Sequence, residues 1–304
     1  MVNSIFPDLL VQLMSLSYEV RAWYCKEEVR REIADFCRNR WIALFGRGVV
    51  RYDREGNPLS IEEPYQIPEI LERFSSIKPR SFYATSATYL RLSFKEDVED
   101  EGNVMSYTPY WDIDNEASKW KATVEVVQVI LRVLEREGIS NSAYVLWTGR
   151  GMHVNLHQKS ISMEVVRKYG ALNVAWAVVE YVRGKIIGNL QEIRERHEAF
   201  RLRVDNEMKP KNLFSVPLSL HRSVNSAVIC VSPSDLDFFD PSWANPNSFK
   251  HNKNWRSFHP GEADYLAEKA IRIYGGYPYL RARYRRKEPR VEDMIRKWLG
   301  DQDH

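Results

Sequence analysis

Between Tyr107 and His157 the apolar residues change their spacing twice, and this restricts the fold more than any other feature of the 304-residue chain. Tyr107 to Asp114 alternates large apolar side chains with polar ones, the period of a strand with one covered face. Past Asn115 the period lengthens. Val124, Val127, Ile130, Leu131 and Leu134 recur at helical spacing, with Ser118 read as the N-cap and Gly138 as the stop. Ala143 to Trp147 returns to strand, Thr148 to Gly151 reads as a turn, and His153 to His157 as a third strand. A strand, a helix and two more strands in succession predict a mixed α/β (α+β) fold.

The flanking sequence extends the same alternation. Ile5 to about Asn39 reads as helical, through Leu9, Leu13 and Leu16. Arg47 to Tyr65 reads as a polar hairpin or loop, Pro68 to Phe74 as a short helix, and Arg80 to Leu92 as aromatic, hydroxyl-rich strand. An acidic break follows at Glu96 to Asn103. Met163 to about Arg201 reads as a helical insertion between His157 and Leu202. Short strands are expected at Leu202 to Asp205, Leu213 to Val216 and Ala227 to Val231, and helices at Glu262 to Ile273 and Val291 to Leu299. The expected division is a core over 1–260, with its helical insertion at about 161–200, and a helical, basic extension over 261–304.

Composition excludes little. The 44 basic and 41 acidic residues leave a formal charge of +3, so local clusters have to decide whether a polyanion is the partner. Cys25, Cys37 and Cys230 are odd in number and far apart, which predicts neither a structural zinc site nor a disulfide framework. They read as reduced packing residues. No run of about 18 uncharged apolar residues exists, so the chain reads as soluble and cytoplasmic, with no membrane partner.

Three short segments carry residues suited to chemistry. In Tyr110-Trp-Asp112-Ile-Asp114, side chains two apart share one face of a strand, so two carboxylates converge and need a cation between them. Oxygen ligands suit Mg2+ or Mn2+; a pair of solvated acids before a turn would look the same. In Thr148-Gly-Arg150-Gly-Met-His153, two glycines let backbone amides approach an anion around a fixed guanidinium, although a plain hairpin turn uses the same residues. The third segment runs from Leu202-Arg203-Val204-Asp205 to Val216-Pro217-Leu-Ser219-Leu-His221-Arg222. Asp205 there ends an apolar stretch as Asp112 does.

In this order, with the aromatic Ser81-Phe-Tyr-Ala-Thr-Ser-Ala-Thr-Tyr upstream, the segments resemble the catalytic core of the archaeo-eukaryotic primase superfamily. That group includes the small subunit of archaeal primase and its primase-polymerase relatives. The resemblance covers about residues 80 to 230 and implies a primase-polymerase core with a helical insertion. It implies a nucleotidyltransferase that joins nucleoside triphosphates (NTP or dNTP) on a single-stranded DNA template by a two-metal mechanism, with pyrophosphate released. Asp112, Asp114 and Asp205 would hold two Mg2+ or Mn2+ ions, with Glu207 a rival third acid. Thr148, Arg150, His153, Ser219, His221 and Arg222 would contact the nucleotide. A primase large subunit or a helicase module is a further partner that the resemblance implies.

The chain also departs from the family. Val154 to Val204 contains no cysteine, so the family's zinc knob is not expected and no structural zinc is. Arg222-Ser223 stands where Gly-Lys is usual, and Asn212 and Ser215 stand where arginines are common, so Lys209, Lys211 or Arg222 would have to supply the charge. Arg281, Arg283, Arg285, Arg286 and Lys287, interleaved with Tyr284, read as a contact for template phosphates and bases or, equally, as a basic solvated helix face or interdomain linker. Two rivals use similar residues. A rolling-circle replication endonuclease would want His-apolar-His, whereas His153 and His157 have three residues between them. A non-catalytic nucleic-acid-binding module of the same fold would have no need of three carboxylates.

Overall fold

The computed structural model describes residues 18–278; the first part of the expected N-terminal helix, the helix at Val291 to Leu299 and the basic run from Arg281 to Lys287 lie outside them. Within the described chain, residues 18–25 are helical and a bend at Lys26 separates them from α1 (Glu27–Cys37). The first sheet is antiparallel. Its members are β1 (Ile42–Phe45), β2 (Val49–Val50), β3 (Ser81–Thr85) and β10 (Leu213–Ser215), in the order β10-β3-β1-β2. Between β2 and β3, α2 (Gln66–Arg73) occupies the span expected for a short helix. The two N-terminal helices cover one face of this sheet, with Tyr24 edge-on to Phe82 at 5.1 Å and Phe36 against Phe214 at 5.4 Å. Phe45 and Tyr83 meet at 4.7 Å on the opposite face.

The second sheet is also antiparallel and carries the segments singled out above. It contains β6 (Tyr110–Asp114), β7 (Ala143–Trp147), β8 (Met152–Leu156), β9 (Arg203–Asp205) and β11 (Ile229–Val231), in the order β11-β7-β8-β6-β9. One of its faces is apolar. Trp111, Ile113, Val145, Met152 and Val154 are fully buried there, under α3 (Trp120–Arg136) and α5 (Ala171–Arg196). The Trp111 indole N–H also donates to the Val179 carbonyl on α5, at 3.0 Å. Burying a side chain of this size contributes about 2–3 kcal/mol. A one-residue slip would turn the apolar set to solvent, so the register of β6 is held firmly.

Two expectations are corrected. Tyr107 to Asp114 is not one strand. β5 (Val104–Tyr107) pairs with β4 (Ala87–Tyr89) in a separate ribbon, and β6 starts only at Tyr110. Pro109 lies between them and has no N–H to continue a ladder, so the chain changes sheets there. Nor does Ser118 cap the long helix. A 3-10 turn over Ala117–Lys119 precedes α3, and Lys119 holds the cap position without a side-chain bond. The stop at Gly138 agrees with expectation: it adopts φ +89, and the Ile139 N–H returns to the Leu134 carbonyl at 2.9 Å.

The insertion after His157 consists of α4 (Met163–Tyr169) and α5, joined at Gly170. α6 (Asp264–Tyr274) packs on α5, and Asp264 accepts the Ser162 N–H at 2.7 Å, so residues just past the expected boundary at 260 lie against the core. Among the described residues, no helix is long and apolar enough to cross a membrane.

Candidate active site

Strand register assembles the acids. Asp112 stands directly opposite Asp205 on one neighbouring strand and opposite His153 on the other, while Asp114 stands opposite Arg203. Cross-strand partners share a face, so His153, Asp112 and Asp205 form one row with Asp114 a pleat away. With Trp111 and Ile113 committed to the core, all three acids must face outward. The chain has brought together carboxylates that lie up to 93 residues apart, from Asp112 to Asp205. Glu207 lies past the end of β9 and pairs with Lys209 at 2.5 Å.

Their electrostatics are uneven. Burial would push Asp112 upward, but the pull and hydrogen bond of His153, reinforced by Arg203 and Lys209, hold it below the ordinary carboxyl range. The His153 Nε2 to Asp112 Oδ1 distance is 3.2 Å. Asp114 is raised, first by burial and then by the charges of Asp112 and Asp205, against the pull of Arg203. Arg203 bonds both remaining acids, Asp205 at 2.6 Å and Asp114 more closely still. Crowding of this kind calls for added positive charge, and a set made only of carboxylate oxygens suits a hard divalent cation. As the side chains stand, no three His, Cys, Asp or Glu groups among the described residues are gathered tightly enough to enclose a metal ion. Arg203 takes up the oxygens that such an ion would use.

A second wall is built from the two glycine-flanked and histidine-bearing segments. The Thr148–Gly151 turn closes on itself, with the Thr148 N–H and hydroxyl both donating to the Gly151 carbonyl, at 3.0 and 3.1 Å. Gly149 has φ +106, and a Cβ there would stand 2.9 Å from the His221 ring; one on Gly151 would stand 2.3 Å from the Ile113 carbonyl oxygen. Only glycine lets the turn lie against both His221 and the end of β6. Arg150 projects into solvent and reaches the Ser223 hydroxyl at 3.3 Å.

His221 accepts the N–H groups of Ser223 and Val224 on Nδ1, each at 3.1 Å, which leaves Nε2 to carry the proton. Burial, followed by the charges of Arg150, Arg222 and Arg80, lowers its pKa to about 4, so at neutral pH it is an uncharged donor. The exposed Arg222 lies over Phe45 and Tyr83, at 5.3 and 5.8 Å from the ring centres. Tyr83 in turn is close enough to Asp112 to feel its charge. Beyond Arg222 opens a cavity of about 410 Å³ lined by Arg21, Phe45, Arg47, Lys78, Arg80 and Arg222, among others.

Some expected residues stand elsewhere. Ser219 is buried; its hydroxyl accepts the Phe82 N–H at 2.8 Å and donates to the Leu220 carbonyl, so it ties the Pro217 turn to β3 and does not face the cleft. Lys211 pairs with Glu99 at 2.5 Å. Asn212 is buried and holds the Tyr110 hydroxyl at 3.0 Å. Residues without an expected role also appear. Arg203 is two positions before Asp205 in a strand, and the same period-2 reasoning that paired Asp112 with Asp114 puts it on the acid face. Phe45, Arg47, Lys78 and Arg80 carried no local signal, because long-range pairing of β1 with β3 is what brings them to the cleft.

The two antiparallel sheets, with helices packed behind the second, share the fold of a solved polymerase domain. Among solved structures, the polymerase domain of Ligase D from Mycobacterium tuberculosis, determined in complex with DNA, superposes with a TM-score of 0.50 at 13% identity. The match covers 86% of this chain and 90% of that one. No protein-family model and no curated protein sequence matches the chain.

Proposed function

We propose that this protein is a template-directed nucleotidyltransferase, a primase or primase-polymerase of the archaeo-eukaryotic kind that extends a strand from NTPs or dNTPs on DNA. The observation that carries this reading is the register: Asp112 and Asp205 face each other across adjacent strands, with Asp114 a pleat away. Mg2+ or Mn2+ held by these acids would supply the charge that activates the attacking hydroxyl and steadies the leaving pyrophosphate.

The chain's own groups do the positioning. Asp112, kept ionised by His153, and Asp205 anchor the reacting end of the cleft. His221 offers a neutral N–H donor, while Arg150 and Arg222 offer guanidinium forks that bind phosphate oxygens in pairs. Thr148 serves the site through its turn, since its hydroxyl is engaged with Gly151. Phe45 and Tyr83 give the cleft an aromatic wall, and the cations of the adjoining cavity suit the phosphates of a template strand. Binding to DNA of the Ligase D polymerase domain agrees with this reading.

A primer-extension and de novo synthesis assay with labelled NTPs and dNTPs, in Mg2+ and in Mn2+, tests it. The double substitution Asp112→Ala with Asp114→Ala is expected to reduce incorporation by at least about 10³-fold, the scale on which charge-stabilising groups act. The folded state should persist, because both side chains are partly exposed. Full incorporation by the double variant, measured beside an unchanged melting curve, contradicts the assignment.

A further inference from the structure

We infer that Arg203 has two successive partners: it neutralises the carboxylates until divalent ions displace it, and it then contacts the phosphates of the incoming triphosphate. The inference rests on the reading of Asp112, Asp114 and Asp205 as metal ligands.

Three observations support it. First, strand geometry gives Arg203 no other face: it is opposite Asp114 and two residues from Asp205, and its guanidinium bonds an oxygen of each. Metal and guanidinium therefore compete for the same oxygens. Secondly, one guanidinium cannot neutralise three carboxylates. The excess negative charge favours exchange for ions carrying two charges each. Thirdly, the side chain is free to leave while its backbone stays. β9 is the outer strand of its sheet, and the Arg203 side chain is 57% exposed. Its neighbour Val204 is buried, with its carbonyl fixed by Arg183 Nε at 2.9 Å. A long side chain pivoting on a fixed strand stays beside the acids once released. That is where a metal-bound triphosphate would present its oxygens, and a guanidinium binds them in pairs.

The two roles predict effects of opposite sign in Arg203→Ala. Mn2+ affinity without nucleotide, followed by the electron paramagnetic resonance signal of free Mn2+, should tighten about fivefold, the scale of releasing two half-exposed ion pairs. In saturating Mn2+, the affinity for a non-hydrolysable triphosphate should instead weaken about tenfold, the loss of one charge-assisted contact. Mn2+ should also raise the melting temperature more in Arg203→Ala than in the unaltered protein, because the acids there lack their internal counter-ion. Arg203→Lys, which keeps the charge without the fork, should fall between the two proteins in both titrations.

Equal or weaker Mn2+ binding by Arg203→Ala overturns the inference, as does an unchanged triphosphate affinity. If neither protein binds Mn2+, or if Asp112→Ala with Asp114→Ala binds it as tightly as the unaltered protein, the ligand assignment fails and the inference fails with it. Those outcomes are distinct from the first two.

Discussion

At the scale of single residues, the site depends on what a few positions exclude. Gly149 combines φ +106 with a backbone that leaves no room for a Cβ beside His221, so Gly149→Ala must both strain the turn and push the imidazole aside. The strain alone costs about 1–3 kcal/mol. Gly138 supplies the control. It has φ +89 and nothing within 4 Å of a built Cβ, so Gly138→Ala strains the backbone without touching the cleft. Both variants should melt earlier than the unaltered protein. Only Gly149→Ala should also raise the KM for the triphosphate, by about tenfold, because His221 donates from a fixed position. Equal KM values in the two variants, measured well below either melting point, would remove His221 from the nucleotide contacts.

At the scale of elements, local pattern was informative wherever packing followed the local period. The acid face of β6, the Thr148–Gly151 turn, the helical insertion and the Gly138 stop were legible because alternation, glycine and helical spacing each have a mechanism within a few residues. Ser118 misled for the same reason. It is a good capping residue, but the 3-10 turn over Ala117–Lys119 moves the helix start past it. The break at Pro109 depends on which sheet each half joins, and β3 and β10 pair across as many as 132 residues, from Tyr83 to Ser215. Loops of that length leave no local trace, so the Phe45–Tyr83 wall could not be read from the sequence.

The same scale explains His157, which follows β8 and lies flat on Phe258 at 4.2 Å. Burial, with Arg40 and Lys159 nearby, lowers its pKa from 6.5 to about 3. An unfolded chain takes up this proton near pH 6.5 and the folded one does not, so the group's contribution is complete above pH 6.5 and declines as the pH falls towards 3. By pH 4 that decline is at most about 3 kcal/mol. Denaturant midpoints measured from pH 7.5 to 4 should show His157→Gln losing less stability over the window than the unaltered protein. Parallel curves would mean that His157 is not held neutral by its surroundings.

At the scale of the whole molecule, the fold joins distant parts of the chain around a cleft that is acidic on one wall and basic on the other. Glu32 on α1 is buried and accepts from Arg256 at 2.7 Å and His251 at 2.8 Å, which ties the first helices to the segment that follows β11. Arg80, just before β3, holds the His221 and Val224 carbonyls, at 2.8 and 3.3 Å, so the basic wall cannot drift from the His221 segment. A near-neutral protein thereby presents a concentrated positive surface, which a net charge of +3 does not reveal. Arg47 and Lys78 line the cavity on that wall, Arg47 is exposed, and neither forms an ion pair among those found in the described residues. If template phosphates lie there, each cation they meet releases condensed counterions, and the plot of log affinity against log salt steepens by about 0.7 per contact on a single strand. Arg47→Ala with Lys78→Ala should therefore weaken binding of a single-stranded oligonucleotide at low salt and make that slope shallower by about 1.4. The charges of Asp112, Asp114 and Asp205 are untouched by these changes, so Mn2+ affinity should not move. A slope that stays the same while oligonucleotide binding persists would direct the template away from this cavity and towards another basic surface of the chain.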